Sequence, residues 1–365
     1  MDTIESIEVA AVQIPLDKPV QLGPLTIVQR DYVVVRVALS DGAEGFSYGY
    51  DRGLPLFDLT VKAAMSYIGQ SSAERNRLRR TALGPLPAPH AAMTRGVSLC
   101  DVATWDSFCQ SHGLPLWKII GGSRRSVPAM PVIGYGMTAE TAGEEGAFLA
   151  DEGFKIIKCM IDGVNFRLDE ALLTSLAEAL PSDVRIGIDA HWSWTNATQA
   201  LPWCRLAERL GACFIEDPFT PTNINAFTEL AARVEIPLAV GEDVIDIYGF
   251  RDLAPSCGIL RFDASVSGGI SAMMDMSGLA RAYARPIIPH VFPGLHSQLG
   301  FSNDNILCVE MFSRKVAADP IDRFLSKAIK VENGNIVATD DPGAGLSLQW
   351  GSLAQHRTRY EKLSI

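Results

Sequence analysis

VRIGID (184–189), GACFIE (211–216) and IPLAVGE (236–242) are three successive apolar runs, each closed by an acid. Asp189, Glu216 and Glu242 follow one another at intervals of 27 and 26 residues. That interval accommodates one strand, one helix and two short loops. The three acids are therefore expected at the ends of neighbouring parallel strands, pointing into one mouth. Three carboxylates that close repel one another unless a cation sits between them. Oxygen ligands without thiolates suit Mg²⁺.

The same punctuation extends on both sides. PVIGY ends at Tyr135, FKIIKCM at Met160, GILRFD at Asp263, RPIIPH at His290 and NILCVE at Glu310. That makes eight runs with ends 20 to 29 residues apart. Amphipathic stretches lie between them. In FRLDEALLTSLAEAL (166–180), Leu168, Leu172, Leu176 and Leu180 share one helical face. Asn196 suits an N-cap, and Gly211 a position just past a helix end. Near-continuous apolar strands alternating with helices predict an α/β fold with a parallel barrel of the TIM type. A doubly wound sheet is the alternative, disfavoured by the lack of a glycine-rich phosphate loop.

The N-terminal part is different. IESIEVAAVQIPL (4–16) and DYVVVRVALSDG (31–42) are β-rich, with a turn signal at Asp41-Gly42. Helical stretches follow at 56–68 and about 92–112. We expect an α+β capping unit over 1–125, the barrel over 126–325, and a segment 326–365 that packs back on the cap.

Net charge is −10 with no basic run, which argues against nucleic acid or anionic membrane as a partner. It leaves room for a small anionic substrate, because one metal ion reverses the local field. No apolar stretch reaches membrane-spanning length. The N-terminus lacks a basic region followed by an apolar one, so no secretory signal is expected. Seven cysteines without CxxC spacing suggest reduced core thiols and a cytoplasmic protein.

Lys158, Asp189, Glu216, Glu242, Asp263, His290 and Glu310 thus fall at predicted strand ends, where barrel enzymes carry their chemistry. At these residues the chain resembles the enolase superfamily and, within it, the mandelate racemase subgroup. GVSLCDVATWD (96–106) and GLPLWKIIGG (113–122) are similar to the subgroup's N-terminal signatures. GFKIIKCM, IDAHW, IEDP, GED, FDASVSGG and IPHVF match its strand-end motifs in order and spacing. The resemblance implies a modified (β/α)₇β barrel with an α+β cap completed by the C-terminal segment. It implies Mg²⁺ on Asp189, Glu216 and Glu242, a His290–Asp263 dyad, Glu310 near the substrate carboxylate, and a homo-oligomer. The superfamily pairs a Lys or His base with Mg²⁺.

One departure bears on the reaction. Where the subgroup usually has Lys-x-Lys, this chain reads Lys158-Cys159-Met160. Methionine cannot take a proton, so Lys158 is left as a cationic contact and His290 as the evident base. His191, two residues past Asp189, is histidine as in some sugar-acid dehydratases of the superfamily, where it serves as general acid. Tyr135, Tyr48, Tyr50 and the loop residue His296 are further candidates for the substrate pocket, and specificity is expected from cap loops around 15–30 and 48–54. The first reading is an Mg²⁺-dependent acid-sugar dehydratase giving a 2-keto-3-deoxy acid. A racemase, epimerase or lactone cycloisomerase is the second. A catalytically impaired homologue that binds metal and carboxylate is the third.

Overall fold

The computed structural model describes residues 2–22 and 25–365. Of the stretch 15–30 expected as a cap loop, residues 23 and 24 lie outside the described residues and the rest is strand, as are residues 48–50 of the second. The cap begins with β1 (Ile4–Leu22), β2 (Leu25–Leu39) and β3 (Glu44–Tyr50). These form an antiparallel sheet in the order β13-β1-β2-β3, where β13 is Arg357–Ser364 at the far end of the chain. Side chains alternate across a strand, and here both faces are used. Val33, Val35 and Val37 pack on the cap helices α1 (Leu56–Ala64), α2 (Arg75–Leu83) and α3 (His90–Ser111). Tyr32, Val34 and Tyr48 belong to the core shared with the barrel. The cap sheet is thus held between its own helices and the barrel mouth.

After a short helix, α4 (Leu116–Ile119), the barrel strands are β4 (Ser126–Ile133), β5 (Ile156–Met160), β6 (Arg185–Asp189), β7 (Phe214–Glu216), β8 (Leu238–Val240) and β9 (Ile259–Leu260). They pair in parallel and in sequence order, and β10 (Val309–Phe312) pairs with β4. Helices α5 (Ala139–Asp151), α6 (Phe166–Ala179), α7 (Ala197–Arg209), α8 (Ile224–Ala231), α9 (Ile247–Leu253) and α10 (Gly269–Ala282) alternate with them. Asn196 caps α7 as its sequence suggests, accepting from the Gln199 amide.

The eighth unit departs from a regular strand. The run RPIIPH makes only two isolated bridges, Leu260 to Ile287 and Ile287 to Ile306. Among the described residues no continuous ladder closes the ring between β9 and β10. Pro286 and Pro289 flank this stretch and have no backbone N–H to give to a ladder. A helix, α11 (Pro293–Gly300), follows at once. The segment 326–365 divides between the two units. The hairpin β11 (Val331–Glu332)/β12 (Asn335–Val337) joins the barrel sheet beside β4, while β13 pairs with β1.

Cap and barrel are joined through the two signatures already quoted. Asp101 of α3 accepts from the Ser271 amide (3.0 Å) and hydroxyl (2.7 Å) at the start of α10. Ser98 accepts from the Gly268 amide (2.8 Å) and Trp105 donates to Ser271 (2.9 Å). Gly269 has φ +83° and a Cβ there would lie 2.2 Å from Asp101, so this contact requires glycine. All seven cysteines are free, and all but Cys213 are buried. No helix among the described residues is long and apolar enough to cross a membrane.

Candidate active site

Parallel registration sets the carboxylates side by side. Asp189 pairs with Glu216 across β6 and β7, and Glu242 follows the end of β8. Gly241 lets Glu242 turn inward: its φ is +131°, and a Cβ there would lie 2.4 Å from the Arg261 carbonyl. The mouth is a cavity of about 320 Å³ between barrel and cap, of the size small-molecule sites have. Lys158, Met160, Asp189, Glu242, His290 and Glu310 line its barrel side. Tyr135, His191 and Tyr50 line it too.

Tyr48 and His296 do not line the cavity. Tyr48 shares a face of β3 with Tyr50 but lies deeper, edge-on to Phe292 with ring centroids 4.9 Å apart. His296 is fully buried. Its Nε2 accepts from the Ala264 amide (3.1 Å), which leaves Nδ1 to donate to the Val291 carbonyl (2.6 Å). Both ring nitrogens are thus committed to backbone that supports the Asp263 and His290 loops.

His290 is held for proton transfer. Its Nδ1 lies 2.9 Å from Asp263 Oδ2, and Asp263 also accepts from the Ser265 amide (2.7 Å). Burial raises the Asp263 pKa, but the hydrogen bond and charge of His290 outweigh it, and the carboxyl lies below its usual value. An ionised Asp263 fixes the proton on Nδ1. On the other side, Arg52 Nη2 approaches His290 Nε2 at 3.4 Å. Glu242 Oε2 lies 3.6 Å from the same nitrogen. Arginine can only donate and a carboxylate only accept, so Nε2 turns a lone pair to Arg52 in the neutral imidazole and an N–H to Glu242 once it is protonated.

The floor is densely charged. Lys158 is buried with its ammonium 2.9 Å from Asp189, 2.8 Å from Glu216 and 2.9 Å from Glu310. Burial would lower its pKa, but the three acids raise it well above the usual value, so it stays charged. Below it lies Arg261, fully buried, against Glu216 (3.1 Å), Glu242 (3.4 Å) and Glu310. Burial pushes Glu310 up, but Arg261 and Lys158 bring it down to about 2. Arg52 reaches from the cap to Asp243 (2.9 Å) and Glu242 (3.2 Å), and Arg95 also pairs with Asp243. Burial raises Glu242, and the opposite charges of His290, Arg52 and Arg261 more than reverse it.

Arg261 and Arg52 were not among the residues singled out from sequence. Both had a signal. Arg261 interrupts the apolar run GILRFD two residues before Asp263, so strand alternation puts it on the same inward face. Arg52 stands in SYGYDRG, in the cap segment from which specificity was expected. Replacing Arg261 with methionine leaves three buried carboxylates short of one countercharge. Breaking a buried ion pair from one side costs about 3–5 kcal/mol. We expect Arg261→Met to lower the Tm of the metal-free protein by several degrees, read by thermal denaturation. An unchanged Tm would show that the guanidinium contributes nothing net.

These residues fit a divalent cation. Asp189, Glu216, Asp217, Glu242, Asp263 and Glu310 are six buried acids, and the side chains that pair with members of this group among the described residues are Lys158, Arg52, Arg261 and the His290 imidazole. Glu216 Oε2 and Asp217 Oδ1 are buried without a hydrogen-bond partner among the described residues. Burial raises both of these carboxyls well above their usual values, as it does when countercharge is short. Among the described residues, Glu216, Asp217 and Glu242 offer possible ligand atoms that all lie within 4.8 Å of one another. Asp189 stands outside that group, its carboxylate drawn to the Lys158 ammonium.

Strained backbone marks the same strand ends. His191 and Trp192 are consecutive non-glycine residues with φ of 47° and 57°, Asp217 has 44°, and Val291 and Phe292 have 41° and 44°. Such conformations cost roughly 1–3 kcal/mol each and collect where function holds them.

The C-terminal part, residues 141–352, matches the family model described as enolase C-terminal domain-like. Residues 4–121 match the mandelate racemase/muconate lactonizing enzyme N-terminal domain. The chain belongs to the mandelate racemase/muconate lactonizing enzyme family. It is 30% identical over 273 residues to arabinonate dehydratase of Saccharolobus solfataricus, covering 72% of each chain. It is 24% identical to D-galactarolactone cycloisomerase of Agrobacterium fabrum, over 94% of this chain and 95% of that one. In fold it is similar to L-talarate/galactarate dehydratase of Salmonella typhimurium liganded with Mg and L-lyxarohydroxamate. The TM-score is 0.90 at 22% identity, over 100% of this chain and 95% of that one. Members of this family thus include acid-sugar dehydratases and a cycloisomerase.

Proposed function

We propose that this chain is an Mg²⁺-dependent acid-sugar dehydratase. It would remove the proton α to a carboxylate and release the β-hydroxyl as water, giving a 2-keto-3-deoxy acid. The observation that carries the reading is a single oriented base in the cavity, His290 on Asp263, with Met160 where a second base would be needed.

Asp189, Glu216 and Glu242 would hold the metal. Asp189 and Glu242 line the cavity; Glu216 and Asp217 lie behind its lining, and Glu216 is the one in register with Asp189. When bound there, Mg²⁺ would supply the positive charge that stabilises the negative charge developing on the substrate carboxylate as the α-proton leaves. Lys158, kept charged by its neighbours, is placed to contact that carboxylate. His290 Nε2 takes the α-proton and then carries the proton that the departing hydroxyl requires. His191, the other imidazole in the cavity, is the second candidate donor. Trp192 forms part of the cavity wall, and its Nε1 is buried without a hydrogen-bond partner among the described residues. Tyr50 and Phe292, 5.2 Å apart, and Ile27 limit the access of water from the cap side.

Racemisation needs a base on each face of the α-carbon. Met160 shares a face of β5 with Lys158 and lines the cavity, and its thioether accepts no proton. Incubation of both α-epimers of an accepted acid in D₂O, followed by NMR, tests this. Exchange and 2-keto acid formation are expected from one epimer only. Comparable exchange from both epimers, or exchange without release of a 2-keto acid, would overturn the dehydratase reading in favour of an epimerase.

A further inference from the structure

The cations around the cavity differ in one respect. Lys158 already faces three carboxylates, and Arg52 is committed to Asp243 and Glu242. Arg30, on β2 in the cap, lines the same cavity. Its Nε donates to the Ala318 carbonyl (3.1 Å), and its guanidinium lies over the Tyr50 ring, 5.3 Å from the centroid. These contacts fix the plane of the group. Its two terminal nitrogens have no hydrogen-bond partner among the described residues, and no carboxylate there comes within 4.0 Å of them.

The acids in its surroundings are engaged elsewhere. Asp319 is buried and accepts from the Tyr32 hydroxyl. Asp31 accepts from the Gln29 amide (2.9 Å), and Asp51 from the Gly53 backbone amide (2.9 Å). Arg30 therefore presents a fixed, charged pair of N–H donors to the cavity from the side opposite the barrel floor. A planar fork of this kind matches a carboxylate with two parallel hydrogen bonds. A hydroxyl could use only one of them.

We propose that the substrate is a sugar diacid, with the reacting carboxylate on the floor and the second carboxylate on the terminal nitrogens of Arg30. A sugar monoacid of the same length ends in a primary alcohol and leaves the fork half-used. The choice of end rests on the reading of the floor given above. The existence of a second anion seat does not. Relatives of both kinds occur, since arabinonate is a monoacid and galactarate a diacid. Arg30 selects the diacid class for this chain.

The test measures binding without turnover. Mg²⁺-loaded full-length protein carrying His290→Asn is titrated calorimetrically with matched pairs of four- to six-carbon aldarates and aldonates, covering all configurations. The same titrations are made with Arg30→Met and Arg30→Lys added. At least one diacid should bind about 10- to 100-fold more tightly than its monoacid partner, the range expected of charge-assisted hydrogen bonds. Arg30→Met should erase that gap while leaving monoacid binding in place, and Arg30→Lys should restore part of it. If no diacid outbinds its partner, or if Arg30→Met weakens both acids equally, the proposal is wrong. Formation of 2-keto acid is assayed separately with unaltered protein. A diacid preference without 2-keto acid would sink the dehydratase reading alone. A monoacid preference with 2-keto acid formed would sink this inference alone.

Discussion

His290→Asn is expected to lose α-proton exchange and turnover while remaining folded and able to bind metal. The asparagine amide can still donate to Asp263 Oδ2, so the loop keeps its anchor and the buried Asp263 keeps a partner. What disappears is the lone pair at Nε2. A positioned general base contributes about 10²–10⁴ in rate, and it acts only in the transition state. The loss should therefore fall on kcat, with KM changed little. Arg52, which now approaches Nε2, retains Asp243 and Glu242 as partners, so the cap should stay closed. The decisive measurement is α-proton exchange in D₂O by NMR, beside circular dichroism and metal content. Exchange at the unaltered rate would place the base elsewhere, with Tyr135 and His191 the next groups in the cavity.

Much of this site is legible in the sequence because strand periodicity is rigid. Once Asp189, Glu216 and Glu242 are read as strand ends, the parallel pairing leaves them no other place than one rim. The Asp263–His290 pair follows from the same register. Depth is what periodicity does not give. Tyr48 and Tyr50 share a face and both pack on Phe292, yet only Tyr50 reaches the cavity. His296 falls in a segment that reads as a loop but forms α11, and the helix turns its ring into the backbone behind the dyad. Ion pairing is likewise hidden. Arg261 looks like an interruption in an apolar run, and only the convergence of β7, β8 and β10 shows that it balances their acids. The weak pairing of RPIIPH could have been expected from its two prolines, which the regular spacing of the runs outweighed.

Glu216→Gln is expected to abolish activity through the metal rather than through the base. Glu216 is fully buried and central among the acids, next to Asp189 in register and in reach of both Lys158 and Arg261. Its Oε2 has no hydrogen-bond partner among the described residues, which leaves that oxygen open to a cation. Glutamine keeps the size and one acceptor oxygen but removes the charge. It also brings an NH₂ group among cations that cannot accept from it. Mg²⁺ affinity should fall by at least tenfold, and no α-proton exchange should be seen at metal concentrations that saturate the unaltered protein. Isothermal titration with Mg²⁺ alone reads the first effect independently of turnover. The neighbouring acids then decide the ligand set. If Asp189 is the third ligand, Asp189→Asn should weaken Mg²⁺ binding as Glu216→Gln does, and Asp217→Asn should leave it nearly intact. The reverse order would assign the ion to the tighter cluster of Glu216, Asp217 and Glu242. Unchanged metal affinity in Glu216→Gln would remove the carboxylate cluster from the mechanism altogether.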